Sequence, residues 1–261
     1  VDVSDIDPAA QAVSFKAWFD EQRAVKFQWD KAPLFSMTVH RYCASRFTLT
    51  LAEPYLDGWS VTLAISELLE WYQQLLEQAV PVVEQVRAQG EFLLREADAL
   101  DDPDHKAFWA RQLASPHQGQ LPLAKGSDYR TLNVAVSTAT SDNLKRIAQT
   151  LGVSIKAVLL SAHLQVIAFI SGRTEVITGL MSNSRPETTA GTSAVGMFLN
   201  TLPLNINVAG LTGSQLIQAV HAFEAQALPF RNYPFAQMLS DAGIDNVIDS
   251  TFNYTHFRPY E

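Results

Sequence analysis

Residues 49–60 of this chain read Leu49-Thr50-Leu51-Ala52-Glu53-Pro54-Tyr55-Leu56-Asp57-Gly58-Trp59-Ser60. The apolar, strand-like first part predicts a β-strand that ends at a short turn. An Asp-Gly pair after a strand is a common turn signal. Ser60 stands where a helix N-cap is expected, and Leu63, Leu68 and Tyr72 continue with helical spacing. The stretch therefore predicts a strand, a polar turn and a helix in succession.

The elements around this stretch are predicted from hydrophobic periodicity and turn residues. On the N-terminal side we expect a helix over residues 8–24 and a hairpin of strands 35–39 and 47–51. On the C-terminal side, the helix after Ser60 ends before Pro81, residues 82–99 form another helix, and Asp101–Asp104 cap a short helix that carries Phe108, Trp109 and Leu113.

The pattern restarts after residue 130, with a predicted strand at 132–136 and a helix that begins at Ser141-Asp142. A second, almost wholly apolar helix begins at Ser154, runs to Ile170, and is expected to be buried on most sides. Further predictions are strands at 175–181, 202–208 and 248–257 and a helix that follows Gly213-Ser214 and runs through Phe223 and Leu228. Helices that alternate with strands indicate the α/β class with mixed sheets.

Residues 115–128 are rich in Ser, Pro, His, Gly and Gln and hold few large apolar groups, which is typical of a linker. We therefore predict a partial N-terminal lobe over residues 1–114, a linker at 115–130 and a partial C-terminal lobe over 131–261. The strand at 49–56 should then lie in one sheet and the strand at 175–181 in another.

Composition limits the classes of function. A net charge of −8 and a pI near 5.2 argue against nucleic acid as the main partner. No run of eighteen apolar residues exists, so no membrane span is expected. The single cysteine, Cys43, has no internal disulfide partner, which fits a reducing cytoplasm. No basic, apolar leader is visible at the start of the chain.

The turn at residues 53–58 resembles the His-His-x-x-x-Asp-Gly signature of nonribosomal peptide synthetase condensation domains. Asp57 and Gly58 are present, but Ala52 and Glu53 occupy the places of the two histidines. Other motifs of that family follow in its order, and the agreement at 195–204 is the most specific. They are similar to residues 27–34 (Phe-Gln-Trp-Asp-Lys-Ala-Pro-Leu), 184–187 (Ser-Arg-Pro-Glu), 195–204 (Val-Gly-Met-Phe-Leu-Asn-Thr-Leu-Pro-Leu), 231–235 (Arg-Asn-Tyr-Pro-Phe) and 252–257 (Phe-Asn-Tyr-Thr-His-Phe).

This resemblance implies a chloramphenicol-acetyltransferase-like fold of two α/β sandwich lobes with a tunnel between them, incomplete at both ends. By the family pattern, about a hundred residues should precede Val1 and somewhat fewer should follow Glu261. It also implies amide-bond formation between an acyl donor and an amine acceptor, each tethered to the phosphopantetheine arm of an acyl or peptidyl carrier protein. No cofactor or metal is expected on the chain itself.

The resemblance places Glu53 at the position of the histidine that serves near the attacking amine. A desolvated carboxylate could act as a base, but it also adds negative charge where an oxyanion develops, which opposes the reaction. A third reading is that Glu53 is merely exposed at a strand end. The family also implies that Asp57 is structural and pairs with an arginine of the other lobe, which corresponds to Arg185; the alternative is a surface Asp in a turn.

Further motif and tunnel candidates follow from the resemblance. They are Gly58, Trp59, Ser60, Asn200, Thr201 and Tyr254. Asn200 and Thr201 stand between Leu199 and Leu202, so their polar groups need partners, either on local backbone or in a substrate tunnel. The six histidines show no metal-ligand spacing, and His163, on an apolar helix, is interpreted as a core residue.

Two functions from different classes remain open at this point. The first is a condensation domain whose activity is weak or absent because Glu53 replaces the motif histidine. The second is a non-catalytic relative that docks a carrier protein or a tailoring enzyme, and an epimerising or ester-forming relative is a third reading. The isolated chain is expected to lack activity, and self-association through exposed sheet edges is a further expectation.

Overall fold

The computed structural model describes residues 1–81, 90–114, 121 and 130–255. These ranges contain both helices and strands, which is consistent with the α/β class. In chain order the elements are α1 (Pro8–Ala24), β1 (Ser36–Cys43), β2 (Arg46–Ala52), α2 (Gly58–Leu76), α3 (Gly90–Asp101), α4 (Pro103–Gln112), α5 (Thr138–Leu151), α6 (Ile155–Ser171), β3 (Glu175–Asn183), α7 (Thr189–Ser193), β4 (Leu199–Asn207), α8 (Gly213–Ala227), a 3₁₀ turn (Leu228–Phe230), α9 (Phe235–Ala242) and β5 (Thr251–Phe252).

The chain divides into two compact units. The first comprises Val1–Glu84 together with Val195–Met197, and the second comprises Gln85–Ala194 and Phe198–Glu261. The segment Val195–Met197 thus belongs to the first unit, although its flanking residues belong to the second.

The first unit is built on the antiparallel hairpin β1–β2, in which His40 lies opposite Thr48. Helix α1 lies on this hairpin, because the rings of Phe15 and Trp18 contact the His40 ring at centroid distances of 5.1 and 4.3 Å. Asp7 caps α1 by accepting the Ala9 N–H at 2.8 Å. The turn that follows β2 leads into α2, which places the predicted site turn at the end of a hairpin strand.

The second unit is organised around β3, which pairs antiparallel with β4 on one side and parallel with β5 on the other. Helices α6 and α8 cover this sheet, and their buried Leu160, Leu164 and Val220 join β3 and β4 in one hydrophobic cluster. Gly179 in β3 has no room for a side chain, because a Cβ there would stand 2.8 Å from Thr201 Cγ2. Burial of the β3 backbone on both sides makes it the centre of this core.

Most predicted elements are present. The hairpin, α1, α2, α6, β3, β4 and α8 occupy the predicted parts of the sequence. Asp102 caps α4 by accepting the Asp104 N–H at 2.8 Å, as the Asp-Asp-Pro-Asp run predicts. The strands predicted at 49–56 and 175–181 lie in separate sheets, β2 in the first and β3 in the second. The α/β fold class is confirmed.

Several predicted boundaries were wrong. No strand forms at 132–136; Leu132 and Val134 lie in unassigned backbone and are 85% and 74% exposed, since no neighbouring strand pairs with them among the described residues. Helix α5 begins at Thr138 instead of Ser141, because Ser137 accepts the Thr140 N–H. Helix α6 buries six side chains, but one face with Val166, Phe169 and Ile170 is exposed, so the prediction of burial on most sides is only partly right.

Two predictions fall partly outside the described residues. Of the helix predicted at 82–99, residues 82–89 are not described, and α3 begins at Gly90. Of the strand predicted at 248–257, only Thr251–Phe252 is a strand, and 256–257 are not described.

The predicted linker at 115–130 also lies almost wholly outside the described residues, so a linker there stays a prediction. The assignment of neighbouring helices differs from the expected lobes. Helices α3 and α4 group with the second unit, because Ala99, Phe108 and Trp109 are buried in its hydrophobic cluster.

Within the described ranges no single helix is long and apolar enough to cross a membrane. The pair α5 and α6 passes that length and composition test only when taken together, and the two helices are bent by 107°. Six side chains of α6 are buried against its neighbours.

Candidate functional site

The predicted signature turn begins where β2 ends. Glu53 follows Ala52 directly, and its Oε2 accepts a hydrogen bond from the Leu56 backbone N–H at 2.6 Å. The Glu53 side chain is half-buried. The Glu53 carboxylate, which the resemblance places at the motif histidine position, therefore closes the turn on itself, a local role that the resemblance alone did not suggest.

Asp57 ends the turn and caps α2. Its Oδ1 accepts the Ser60 N–H at 2.7 Å, and the residue is only 3% exposed. The prediction that Ser60 is the N-cap was wrong, because the Asp57 carboxylate precedes it with extended backbone geometry and reaches the third helical N–H first. Ser60 consequently lies inside the first turn of α2, where its hydroxyl is available for a contact elsewhere.

That contact is the peptide of Gly196, which belongs to the same unit. The Ser60 hydroxyl donates to the Gly196 carbonyl at 2.9 Å, and the Gly196 N–H donates back to Ser60 Oγ at 3.0 Å. The Asp57 N–H also donates to the Gly196 carbonyl, at 3.0 Å. Three hydrogen bonds thus join the start of α2 to a residue 136 positions beyond Ser60.

The Gly196 contact is a feature of the site that sequence reasoning missed. Its only signal was the position of Gly196 inside the motif at 195–204, which does not indicate which residues it meets. Both Gly196 and Ser60 are buried, so the hydrogen bonds between them are made away from solvent.

Arg185 lies in the second unit, just after β3, and is 5% exposed. Its Nη1 donates to the Gly191 and Ala194 carbonyls, and its guanidinium lies over the Phe198 ring at 4.0 Å. Gly191 is required there, because a Cβ would stand 2.1 Å from the Pro186 carbonyl oxygen. The side chain of Arg185 therefore holds the backbone at Gly191 and Ala194 and packs on the Phe198 ring. Its predicted pairing with Asp57 stays a prediction.

Asn200 in β4 holds the loop that carries the Arg-Asn-Tyr-Pro-Phe motif. Its Nδ2 donates to the Arg231 and Tyr233 carbonyls at 2.8 Å each, and its Oδ1 accepts the Phe235 N–H at 3.1 Å and the Thr201 N–H at 2.9 Å. Its amide thus has backbone partners on both oxygen and nitrogen. Of the two roles that the sequence left open, the structure supplies the backbone partners, and a place in a substrate tunnel stays a prediction.

The remaining predicted residues are dispersed. Gly58 is the exposed first residue of α2, and its carbonyl accepts the Thr62 hydroxyl at 2.8 Å. Trp59 follows it and is half-buried, Thr201 donates to Met181 Sδ at 3.6 Å, and Tyr254 is half-buried beyond β5. Of the predicted residues, five thus lie at the turn and the start of α2: Glu53, Asp57, Gly58, Trp59 and Ser60. Thr201 and Tyr254 lie in the second unit.

A buried tyrosine supports the Arg-Asn-Tyr-Pro-Phe loop. Tyr233 donates its hydroxyl hydrogen to Asp241, which also accepts from Gln237 and Lys106. Burial, together with the neighbouring Asp241 carboxylate, raises the pKa of Tyr233 to about 12. Burial opposes ionisation of Asp241, but the hydrogen bonds from these three side chains outweigh it and lower its pKa. The loop is thereby tied to α4 and α9.

His163 is a core residue rather than a catalytic group. Thr178 Oγ1 donates to the Ser250 carbonyl at 3.0 Å and therefore accepts from His163 Nε2–H at 2.9 Å. Burial lowers the pKa of His163, because it disfavours the charged form of the ring. Across the part of the chain that the structure describes, no group of three His, Cys, Asp or Glu side chains is arranged to hold a metal ion.

The fold resembles that of solved condensation domains. The first condensation domain of the calcium-dependent antibiotic synthetase aligns with a TM-score of 0.76 at 19% identity, over 97% of this chain and 60% of that one. The starter condensation domain of rhizomide synthetase RzmA gives 0.77 at 17% identity, over 96% and 59%. The X-domain from teicoplanin biosynthesis gives 0.79 at 14% identity, over 95% and 57%. These likenesses define the class of fold.

The sequence model of the Condensation domain matches residues 1–258, and the chain belongs to this family. AMB antimetabolite synthetase AmbE of Pseudomonas aeruginosa is 29% identical over 264 residues, which cover 98% of this chain and 12% of that protein. Malpinin synthetase of Mortierella alpina is 23% identical over 93% of this chain and 3% of its own length. The chain thus spans a small part of these relatives, and the recognition of the family from its motifs is confirmed.

Proposed function

We propose that the chain contributes to a condensation domain that joins an acyl donor on one carrier protein to an amine on another. The amine nitrogen attacks the thioester carbonyl, the C–N bond forms as the C–S bond breaks, and the amine proton must pass to a base or to the leaving thiolate. Family membership and the order of the motifs support this reaction class. The partners are then acyl or peptidyl carrier proteins, with the substrates on their phosphopantetheine arms.

We further propose that this activity is weak or absent with the residues present, and one observation carries that view. The Glu53 carboxylate, at the motif histidine position, accepts the Leu56 N–H at 2.6 Å and is thus engaged in closing the turn. A fixed negative charge at this position also opposes the oxyanion that forms on the thioester carbonyl. Glu53 is therefore a poor replacement for the missing base.

The same observation favours a second candidate function. A condensation-like domain that only docks a carrier protein or a tailoring enzyme needs the fold and the turn but no base. Such a domain would retain the Gly196 hydrogen bonds and the Asn200 loop contacts while tolerating Glu53. The two candidates differ in whether turnover appears when a histidine is supplied.

The experiment is a condensation assay on the full-length parent with both carriers loaded. We compare the parent with Glu53→His and Glu53→Gln, and use Glu70→Gln, at an exposed position on α2, as the control. Because a general base contributes about 10²–10⁴-fold, Glu53→His should raise a low rate by a factor in that range. Robust turnover by the parent that Glu53→Gln abolishes would show that the carboxylate is a working base. Carrier binding without turnover in every variant would establish the docking function.

The cellular location of the protein and its class of partner are proposed from its composition. The net charge of −8 disfavours a nucleic-acid partner, and a lone exposed cysteine is compatible with the reducing cytoplasm, where we place the parent. Self-association of the isolated chain is supported by exposed apolar side chains of the first unit, among them Met37 and Phe47, which are 49% and 50% exposed. Sedimentation of the chain at increasing concentration tests it.

A further inference from the structure

Ser60 has a hydroxyl that the cap of α2 does not use. The helix start is closed by the Ser60 backbone N–H, which donates to Asp57 Oδ1 at 2.7 Å. The hydroxyl instead bonds both polar groups of Gly196, donating to its carbonyl and accepting from its N–H. Ser60 is 0% exposed, so these hydrogen bonds are formed without competition from water.

The clamped peptide lies at the turn that carries the family signature. The Asp57 N–H shares the Gly196 carbonyl with the Ser60 hydroxyl, and Asp57 is only four residues beyond Glu53. On either side of Gly196, Val195 is half-buried and Met197 is 37% exposed. The position of these two side chains relative to the turn therefore depends on how firmly the Gly196 peptide is held.

We propose that Ser60 is a positioning residue for the condensation reaction, because its hydroxyl fixes Val195–Met197 against the signature turn. This inference rests on the proposed condensation function. Acyl transfer between two tethered substrates depends on placement of the reacting atoms, and a displacement of about 1 Å can cost about 10²-fold in rate. Ser60 acts through the Gly196 peptide and needs no contact with either substrate.

The first test measures amide hydrogen exchange in the chain itself. Ser60→Ala keeps the backbone N–H that Asp57 caps, and alanine is favourable inside a helix, so α2 should remain intact. The Gly196 amide loses its acceptor and should exchange at least about fivefold faster, as expected for removal of one net hydrogen bond. Amides of β1 and β2 should keep their rates, and Ser66→Ala, at an exposed position on the same helix, should leave Gly196 unchanged.

Two outcomes of the exchange test overturn the clamp. One is an unchanged Gly196 rate in Ser60→Ala. The other is an equal acceleration of every protected amide of the first unit, which would mean that Ser60 only adds general stability. Ser60→Cys retains a weak donor and acceptor of similar size. The Gly196 exchange rate in this variant should therefore fall between the rates in the unsubstituted chain and in Ser60→Ala.

The second test follows turnover in the full-length parent, in whichever Glu53 background is active. Ser60→Ala should lower kcat by about tenfold to a hundredfold, with KM for both loaded carriers changed less than about twofold, because the fully buried Ser60 side chain cannot itself contact a carrier. A raised KM with unchanged kcat overturns the positioning role. Absence of turnover in every background instead overturns the proposed condensation function, and Gly196 exchange then still decides whether the clamp exists.

Discussion

Replacement of Asp57 tests whether its carboxylate is only a helix cap or is also one partner of a buried ion pair. The Asp57 carboxylate is 3% exposed and accepts the Ser60 N–H at 2.7 Å, and the family resemblance predicts that it also pairs with Arg185. Asp57→Asn keeps a side-chain oxygen for the cap but removes the charge. Asp57→Ala removes both, so the two variants separate the two roles.

The expected magnitudes differ enough to be resolved. Loss of an Asp cap costs about 1 kcal/mol, and asparagine is as good a cap as aspartate. Breaking one partner of a buried charge pair costs about 3–5 kcal/mol, because the remaining charge is left uncompensated. If the pair exists, Asp57→Asn should therefore lower the free energy of unfolding by about 3 kcal/mol or more, and Asp57→Ala should unfold or become insoluble.

The assay is urea unfolding of the purified chain, followed by tryptophan fluorescence, with a double-mutant cycle to Arg185→Met. The cycle is needed because Arg185 also donates to the Gly191 and Ala194 carbonyls, so its own loss is costly in any case. Asp7→Asn is the matched control, since Asp7 caps α1 at an exposed position with a 2.8 Å bond. If the free energy of unfolding of Asp57→Asn lies within about 0.5 kcal/mol of that of the unsubstituted chain, with no coupling to Arg185, the ion pair is refuted. Asp57 would then act on stability as a helix cap.

Two further substitutions test the cores of the two units. Asn200→Ala should lower the free energy of unfolding by about 2–3 kcal/mol, because backbone groups of the 231–235 loop lose their partners. The control is Asn205→Ala, which loses one 3.4 Å bond to the Gln112 carbonyl. Equal losses of stability in the two variants would contradict the role of Asn200 in holding the loop. His40 is 1% exposed, and burial, with a smaller effect of the charged N-terminus, lowers its pKa. As the pH falls through about 6.5, His40 in the unfolded chain binds a proton that His40 in the folded chain does not yet bind. The contribution of neutral His40 to the free energy of unfolding is therefore fully present above that pH and is lost as the pH drops toward the folded pKa. His40→Phe should reduce this loss between about pH 7.5 and 5.5 in urea unfolding. His163, whose pKa is also lowered, contributes to the loss that remains. An unchanged slope would show that His40 is not the titrating group.

The sequence by itself determined the local elements and the order of the family motifs. The hairpin, α1, α4 and the strands β3 and β4 were predictable because periodicity, caps and turn residues act between neighbours in the chain. Asp57 and Gly58 marked the turn after β2 for the same reason. The assignment of Glu53 to the place of a motif histidine rests only on a comparison of adjacent residues with the motif, and it stays a prediction.

The tertiary structure decided which distant groups meet. The bonds of Ser60 to Gly196 join residues 136 apart, and no periodicity in the sequence connects them. Helix α4 belongs to the second unit because Trp109 is buried there, although the sequence placed it with the first. The apolar alternation at 132–136 formed no strand in the absence of a pairing partner among the described residues. In each case the outcome depends on burial and on hydrogen-bond partners supplied from elsewhere in the chain, and these exist only once the fold has formed.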